Sequence, residues 1–284
     1  MCIKSGTYAM STKFELKKTR MGTASRIITI QADPAATKRP ILDFSSQPRL
    51  QCGKDASDKN QRGIDLGADY FHIKGLEVMG SNDNGIMVQG AHNTIENCVV
   101  HDCADFGIAI GSGSGYTGSG TYNTILNCDS YHNFDSQCSG ENADGFGAKK
   151  GSGEGNVFRG CRAWSDSDDG WDFYGWTSSI TVENCWAFNM ATEAAYSGSN
   201  SDGNGFKLGS DSSDGGHKLA NCISFGNKAA GFTNNGGKSS SCTSCKSCSN
   251  GKSDTGVSGV TSGGCPSASA AQAPRSADGS LPAI

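Results

Sequence analysis

The sequence is poor in apolar residues and in positive charge. Hydrophobic residues fill 35% of its 284 positions, too few for a helical bundle. They still recur at regular intervals, which a disordered chain would not show. No apolar run approaches the roughly 18 residues that a membrane span requires, so no membrane partner is expected. A formal net charge of −4 lacks the basic stripe that a nucleic-acid partner calls for. Met1 to Tyr8 contains no basic stretch followed by an apolar segment, and so shows no secretory signal. Glycine, by contrast, is abundant, at 40 residues against 6 prolines.

What is present is a repeat. A glycine followed by a short apolar strand recurs at Gly85-Ile86-Met87-Val88, Gly107-Ile108-Ala109-Ile110, Gly145-Phe146, Gly170-Trp171, Gly205-Phe206 and Gly231-Phe232. Between these lies a second motif, ending in Asn-Cys or a variant at Cys98, Cys128, Cys161, Cys185 and Cys222. The tightest step, Gly85 to Gly107, is 22 residues, and longer steps read as loops inserted in the same coil. Short strands at this spacing, without amphipathic helices between them, describe a solenoid whose coils bury their apolar sides on one another. The fold expected is an all-β parallel β-helix over residues 1–250, with a Gly/Ser/Ala-rich, partly irregular tail over 251–284.

Aligning the coils produces columns. Ile86, Ile108, Phe146, Trp171, Phe206 and Phe232 form an apolar column that points inward, as do Ile95, Ile125, Phe158, Val182 and Leu219. Side chains alternate along a strand, so Met87, Ala109, Gly147, Asp172, Lys207 and Thr233 point outward. Asn97, Asn127, Asn184 and Asn221 share one turn, where stacked amides are expected to form a ladder.

The 13 cysteines cannot all pair within the chain. Cys242, Cys245 and Cys248 have the look of a zinc site with Cys265 as fourth ligand. Shifted by 23 residues, however, they fall on Leu219, Cys222 and Phe225, which are core positions. Buried thiols are the favoured reading; disulfides and zinc stay open.

Charge on the outward side is concentrated. Asp144 and Asp169 are equivalent one coil apart, and Asp168 and Asp172 flank the start of one strand. Four carboxylates so placed call for a counter-ion, and a hard cation with 6–8 oxygen ligands, Ca²⁺, suits them. The plainer alternative makes Asp168-Asp169-Gly170 a turn. Strict alternation would put Asp169 on the opposite face, so a turn or bulge is required near Gly170. Lys207 holds the Asp172 position one coil further on; it is either a base or a solvated counter-charge. Lys149 and Arg162 are candidates to bind a substrate carboxylate, with solvated surface as the alternative. His92, His101 and His132 lie away from the acidic cluster and are assigned no chemistry.

The segments Asn142–Phe146, Gly155–Trp164, Ser167–Asp172, Glu183–Phe188 and Gly203–Gly209 closely resemble family 9 pectate lyases, and the likeness spans about Ser5 to Asn235. The resemblance implies a right-handed β-helix that binds calcium through four aspartates, matching Asp144, Asp168, Asp169 and Asp172, and uses a lysine base, matching Lys207. It implies β-elimination on polygalacturonate, or de-esterified pectin, by a secreted enzyme expected to act as a monomer. The chain enters partway through the family's first strands, and Ala273–Pro282 resembles a segment near the family's C-terminus, as if intervening coils were deleted. A polygalacturonase-type hydrolase is the weaker alternative, since its Gly-His-Gly and Arg-Ile-Lys motifs are missing. A non-catalytic carbohydrate-binding solenoid would have no need of Lys207 beside a calcium groove.

Overall fold

The computed structural model describes residues 1–48, 52, 61–111, 120–212 and 214–282. Each full coil contributes three short strands, and like strands stack in parallel into three sheets. The first, the groove sheet, stacks Phe14–Leu16, Ile64–Leu66, Ile86–Val88, Ile108–Gly111, Phe146–Lys149, Trp171–Asp172, Phe206–Lys207 and Phe232–Thr233. The second runs from Cys2–Ile3 through Ile28–Ala32, Phe71–Lys74, Thr94–Glu96, Thr124–Leu126, Val157–Arg159, Thr181–Glu183 and Lys218–Ala220 to Ser240–Cys248. The third holds Pro40–Asp43, Glu77–Met79, Val99–His101, Asp129–Tyr131, Arg162–Trp164, Trp186–Phe188 and Ile223–Phe225. The chain is a right-handed parallel β-helix.

The expected columns are the observed registers. Ile86, Ile108, Phe146, Trp171, Phe206 and Phe232 stack in line. Ile95, Ile125, Phe158, Val182 and Leu219 do the same on the second sheet. The larger rings lie face to face, with Trp171 4.7 Å from both Phe146 and Phe206 between centroids. The glycine that opens each coil has a steric cause. A Cβ at Gly170 would come within 2.6 Å of the Gly205 carbonyl oxygen on the next coil.

Three expectations change. Asn97, Asn127, Asn184 and Asn221 do not stack as an amide ladder; they supply left-handed backbone, with φ of 51–53°, and Gly160 fills the same place in its own coil with φ 65°. Asparagine tolerates that region better than other residues with a Cβ. The ladder is elsewhere, in the core: the Asn93 N–H donates to Asn123 Oδ1 at 3.0 Å, and the Asn123 N–H to Asn156 Oδ1 at 2.9 Å. Secondly, the coils run past residue 250, because Val257–Ser262 pairs with Ser240–Cys248.

Thirdly, the C-terminal cysteines are paired. The 23-residue register holds, with Cys242 on Leu219 and Cys248 on Phe225. Yet Cys242 bonds Cys245, Cys248 bonds Cys265, and Cys52 bonds Cys138. The inner column keeps its thiols: Cys98, Cys128, Cys161, Cys185 and Cys222 are buried and free. Beyond the last coil the chain turns back over the third sheet, where Ala268, Ala271 and Leu281 pack on Trp186, Phe188 and Phe225.

Candidate functional site

A groove of about 500 Å³ runs along the outer face of the groove sheet. Arg62, Asp83 and Asn84 line one end; Asp168, Asp202 and Lys207 line the other. Asp172 and Lys207 are direct register partners on adjacent strands, and Gly147 pairs with Asp172 on the other side.

The difficulty over Asp169 resolves locally. Asp168 and Asp169 lie in the turn before the strand, which begins only at Trp171, so alternation does not apply to them. Asp144, Asp168 and Asp169 each bring a carboxylate oxygen within 4.8 Å of the others. Asp172 stands beside this group, linked to it through lysines. All four side chains are buried, none more than 2% exposed.

One oxygen of each aspartate is fixed by a backbone N–H. Asp144 Oδ1 accepts from Asp169 N at 2.8 Å, and Asp169 Oδ1 from Asn204 N at 2.6 Å. Asp168 Oδ1 accepts from Asp202 N at 2.6 Å, and Asp172 Oδ1 from Tyr174 N at 2.9 Å. The other oxygens of Asp144, Asp169 and Asp172 meet ammonium groups. Lys149 Nζ is 3.3 Å from Asp144 Oδ2 and 2.8 Å from Asp172 Oδ2. Lys207 Nζ is 3.1 Å from Asp169 Oδ2, 3.8 Å from Asp172 Oδ2 and 2.9 Å from Asp202 Oδ2. The Oδ2 atoms of Asp169 and Asp172 are buried without a well-directed hydrogen-bond donor.

The charges do not balance. Four buried carboxylates face only two ammonium groups, one of which Asp202 shares, so acidic groups outnumber cations in the nest. Burial, with Asp169 adjacent, lifts the Asp168 carboxyl to about 9. Burial also raises Asp169, though Lys207 opposes it, to about 6. Asp144 is raised by burial and by its three acidic neighbours. For Lys207 burial disfavours the charged form, but Asp169, Asp172, Asp144 and Asp168 outweigh it and hold its proton above the ordinary lysine range. Crowded, oxygen-only donors with more carboxyl groups than cations fit a calcium ion.

Arg162, a candidate for a substrate carboxylate, does not line the groove. It starts a strand of the third sheet, is 3% exposed, and is neither solvated nor near the acidic nest. Its Nε and Nη2 donate to Asp129 at 2.8 and 2.7 Å, and its Nη1 donates to the carbonyls of Ala271 and Ala273. It ties the returning tail to the third sheet. Lys149 does face the groove. The histidines lie outside it: His92 stacks between Tyr70 and Tyr122, His101 on Tyr131 and His132 on Tyr196. Three residues escaped the sequence reading. Asp202 touches Lys207, Phe106 lies 4.6 Å below the Lys149 ammonium, and Arg62 lines the far end. Only the run Asp202-Gly203-Asn204, just before Lys207, could have pointed to one of them.

A parallel β-helix carrying a buried acidic nest and a lysine in one lateral groove is the class that fold and site define. Within that class, residues 1–261 match the family described as "Pel9A-like, right handed beta helix region", and the chain belongs to it. Pectate lyase L of Dickeya chrysanthemi is 40% identical over 177 residues, covering 61% of this chain and 40% of that protein. Pectate lyase L of Paenibacillus polymyxa is 38% identical over 242 residues, covering 82% and 51%. The chain thus spans about half or less of these relatives' length. The crystal structure of pectate lyase Pel9A superposes with a TM-score of 0.81 at 29% identity, covering 100% of this chain and 78% of that one. A rhamnogalacturonan lyase at 21% identity, TM-score 0.75, covering 99% and 86%, shares the fold.

Proposed function

We propose that the protein is a calcium-dependent pectate lyase that cleaves polygalacturonate by β-elimination, with Lys207 as general base. One observation carries this reading: the buried aspartate nest meets the Lys207 ammonium at the wall of a single lateral groove lined by Asp168, Asp172 and Lys207. Relatives named pectate lyase supply the substrate class. Asp144, Asp168, Asp169 and Asp172 would hold the ion.

Held by these oxygens, a calcium ion would supply Lewis-acid charge toward a uronate carboxylate and the charge growing at C5, and would weaken the carboxylates' hold on the Lys207 proton so that its amine could act as a base. Lys207 takes the C5 proton. The electron pair left at C5 forms the C4–C5 double bond as the C4–O bond breaks, and the departing oxygen takes a proton from solvent, which releases the preceding chain with a new reducing end and leaves an unsaturated uronate behind it. Asp202 steadies Lys207 from the solvent side, and Lys149 offers a point charge to a second substrate carboxylate. Three disulfides suit an oxidising compartment, which favours an extracellular setting.

Ultraviolet absorbance of unsaturated uronate released from polygalacturonate tests the reading. Wild type should give calcium-dependent product that chelator abolishes, and Lys207→Ala should lower the rate by about 10²–10⁴-fold. Reducing ends without absorbance would make it a hydrolase. Neither signal, with sugar still bound, would leave a non-catalytic solenoid.

A further inference from the structure

Lys149 is held over the acidic nest by a specific arrangement. Gly147, two residues earlier on the same strand, has no side chain, and a Cβ there would come within 2.1 Å of Phe106 Cε1. The glycine therefore admits the Phe106 ring, over which the Lys149 ammonium lies 4.6 Å from the centroid. From there the ammonium reaches Asp144 Oδ2 and Asp172 Oδ2, at 3.3 and 2.8 Å. Both oxygens point at it because Oδ1 of each carboxylate is taken by a backbone N–H. Lys207 differs, since it keeps Asp202 as a partner outside the nest.

An ammonium nitrogen and a divalent ion cannot share one carboxylate oxygen at contact distance without strong repulsion. Asp172 Oδ2 is buried and lacks a well-directed donor, so the ammonium leaves its coordinating capacity largely unused. We propose that Lys149 competes with calcium for Asp144 and Asp172 and so sets the calcium affinity of the nest. This inference rests on the reading of the nest as a calcium site. Lys149 acts as a built-in counter-ion: it relieves the carboxylates of part of their repulsion and weakens the ion's hold by the same charge. An ion that takes these oxygens leaves the ammonium on the Phe106 ring, facing the groove.

Calcium titration by calorimetry on the full chain, with melting in chelator and in saturating calcium, tests this. Lys149→Met keeps the length and the ring contact but removes the charge. It should bind calcium at least about tenfold more tightly than wild type. It should also melt below wild type in chelator and recover in calcium. Lys149→Arg, which keeps the charge, should stay near wild type. Lys149→Gln repeats the measurement if the methionine variant does not fold. Unchanged or weaker affinity in a folded, uncharged variant overturns the competition while leaving the calcium site standing. If wild type itself binds no calcium, both the site and the competition fall.

Discussion

An aspartate in this groove divides its two oxygens between fold and chemistry. Asp144, Asp169 and Asn204 occupy equivalent positions in successive coils, and each accepts a backbone N–H from the next coil through its side-chain oxygen. Asn204 shows that an amide serves this ladder as well as a carboxylate. Asp169→Asn should therefore fold normally and melt within a few degrees of wild type in chelator, yet lose the rise in melting temperature that calcium gives. Retention of that rise would remove Asp169 from the ligand set. A different residue governs pH dependence. Burial alone would lower the pKa of His101, but Asp102 and Glu77 outweigh burial and lift it to about 9. A folded-state value above the ordinary 6.5 gives stability that is fully present below pH 6.5 and is lost as pH rises through about 9. His101→Phe keeps the stack on Tyr131 and removes the titration. Urea denaturation should show wild type losing roughly 1–3 kcal/mol more than the variant between those pH values. Parallel curves would show that the contacts to Asp102 and Glu77 are not coupled to folding.

At the scale of the coil, two asparagine columns do different work. Asn127 sits beside Cys128 in the repeated Asn-Cys motif, so its column was legible, though its role was not. Asn123 stands five residues before Cys128, as Asn93 does before Cys98 and Asn156 before Cys161, so its column is written in the same repeat, and only the stacked coils show that each side chain accepts a neighbouring coil's N–H. Asn123 is fully buried, accepts from Asn93 N and donates to the Gly90 carbonyl at 3.0 Å. Asn123→Ala leaves both groups unsatisfied and should cost about 2–4 kcal/mol. Asn127→Gly should be near neutral, since its φ of 53° is one that glycine adopts freely. Denaturant midpoints of the two variants separate the roles, and equal losses would refute the distinction. The same limit explains the site. Asp144, Asp168, Asp169, Asp172 and Lys207 lie near recurring glycines, so counting from those glycines brought them together. Phe106 holds the place before Gly107 that Asp144 holds before Gly145, so the period locates it but its apolar type does not mark it as a groove residue, whereas Asp202 enters from a loop of variable length.

Over the whole molecule, the least legible feature is the tail, because its polar contacts to Asp129, Gly160 and Arg162 lie more than 100 residues away in sequence. Read from the sequence, Arg162 is a candidate for a substrate carboxylate or a solvated surface residue. Its strand instead follows the Asn-Cys turn and belongs to the sheet that the tail covers. Asp129 is the pivot. Arg162 grips it with two nitrogens, and Arg275 donates to the same carboxylate from Nη2 at 2.6 Å and Nε at 3.1 Å. Arg275 also donates to the carbonyls of Gly160 and Cys128. Two buried guanidinium groups thus depend on one buried carboxylate, whose own pKa they hold low against burial. Breaking such a cluster by removing its single anion strands both cations, at about 3–5 kcal/mol. Asp129→Ala should therefore lower the melting temperature and loosen the tail from Trp186, Phe188 and Phe225, with new protease cleavage confined to the segment after Cys265. The disulfide from Cys248 to Cys265 keeps the root of the tail attached, so the coils and the groove should persist. Cleavage spread through the coils would mean that Asp129 supports the β-helix itself, and an unchanged melting temperature would mean that the arginines find other partners.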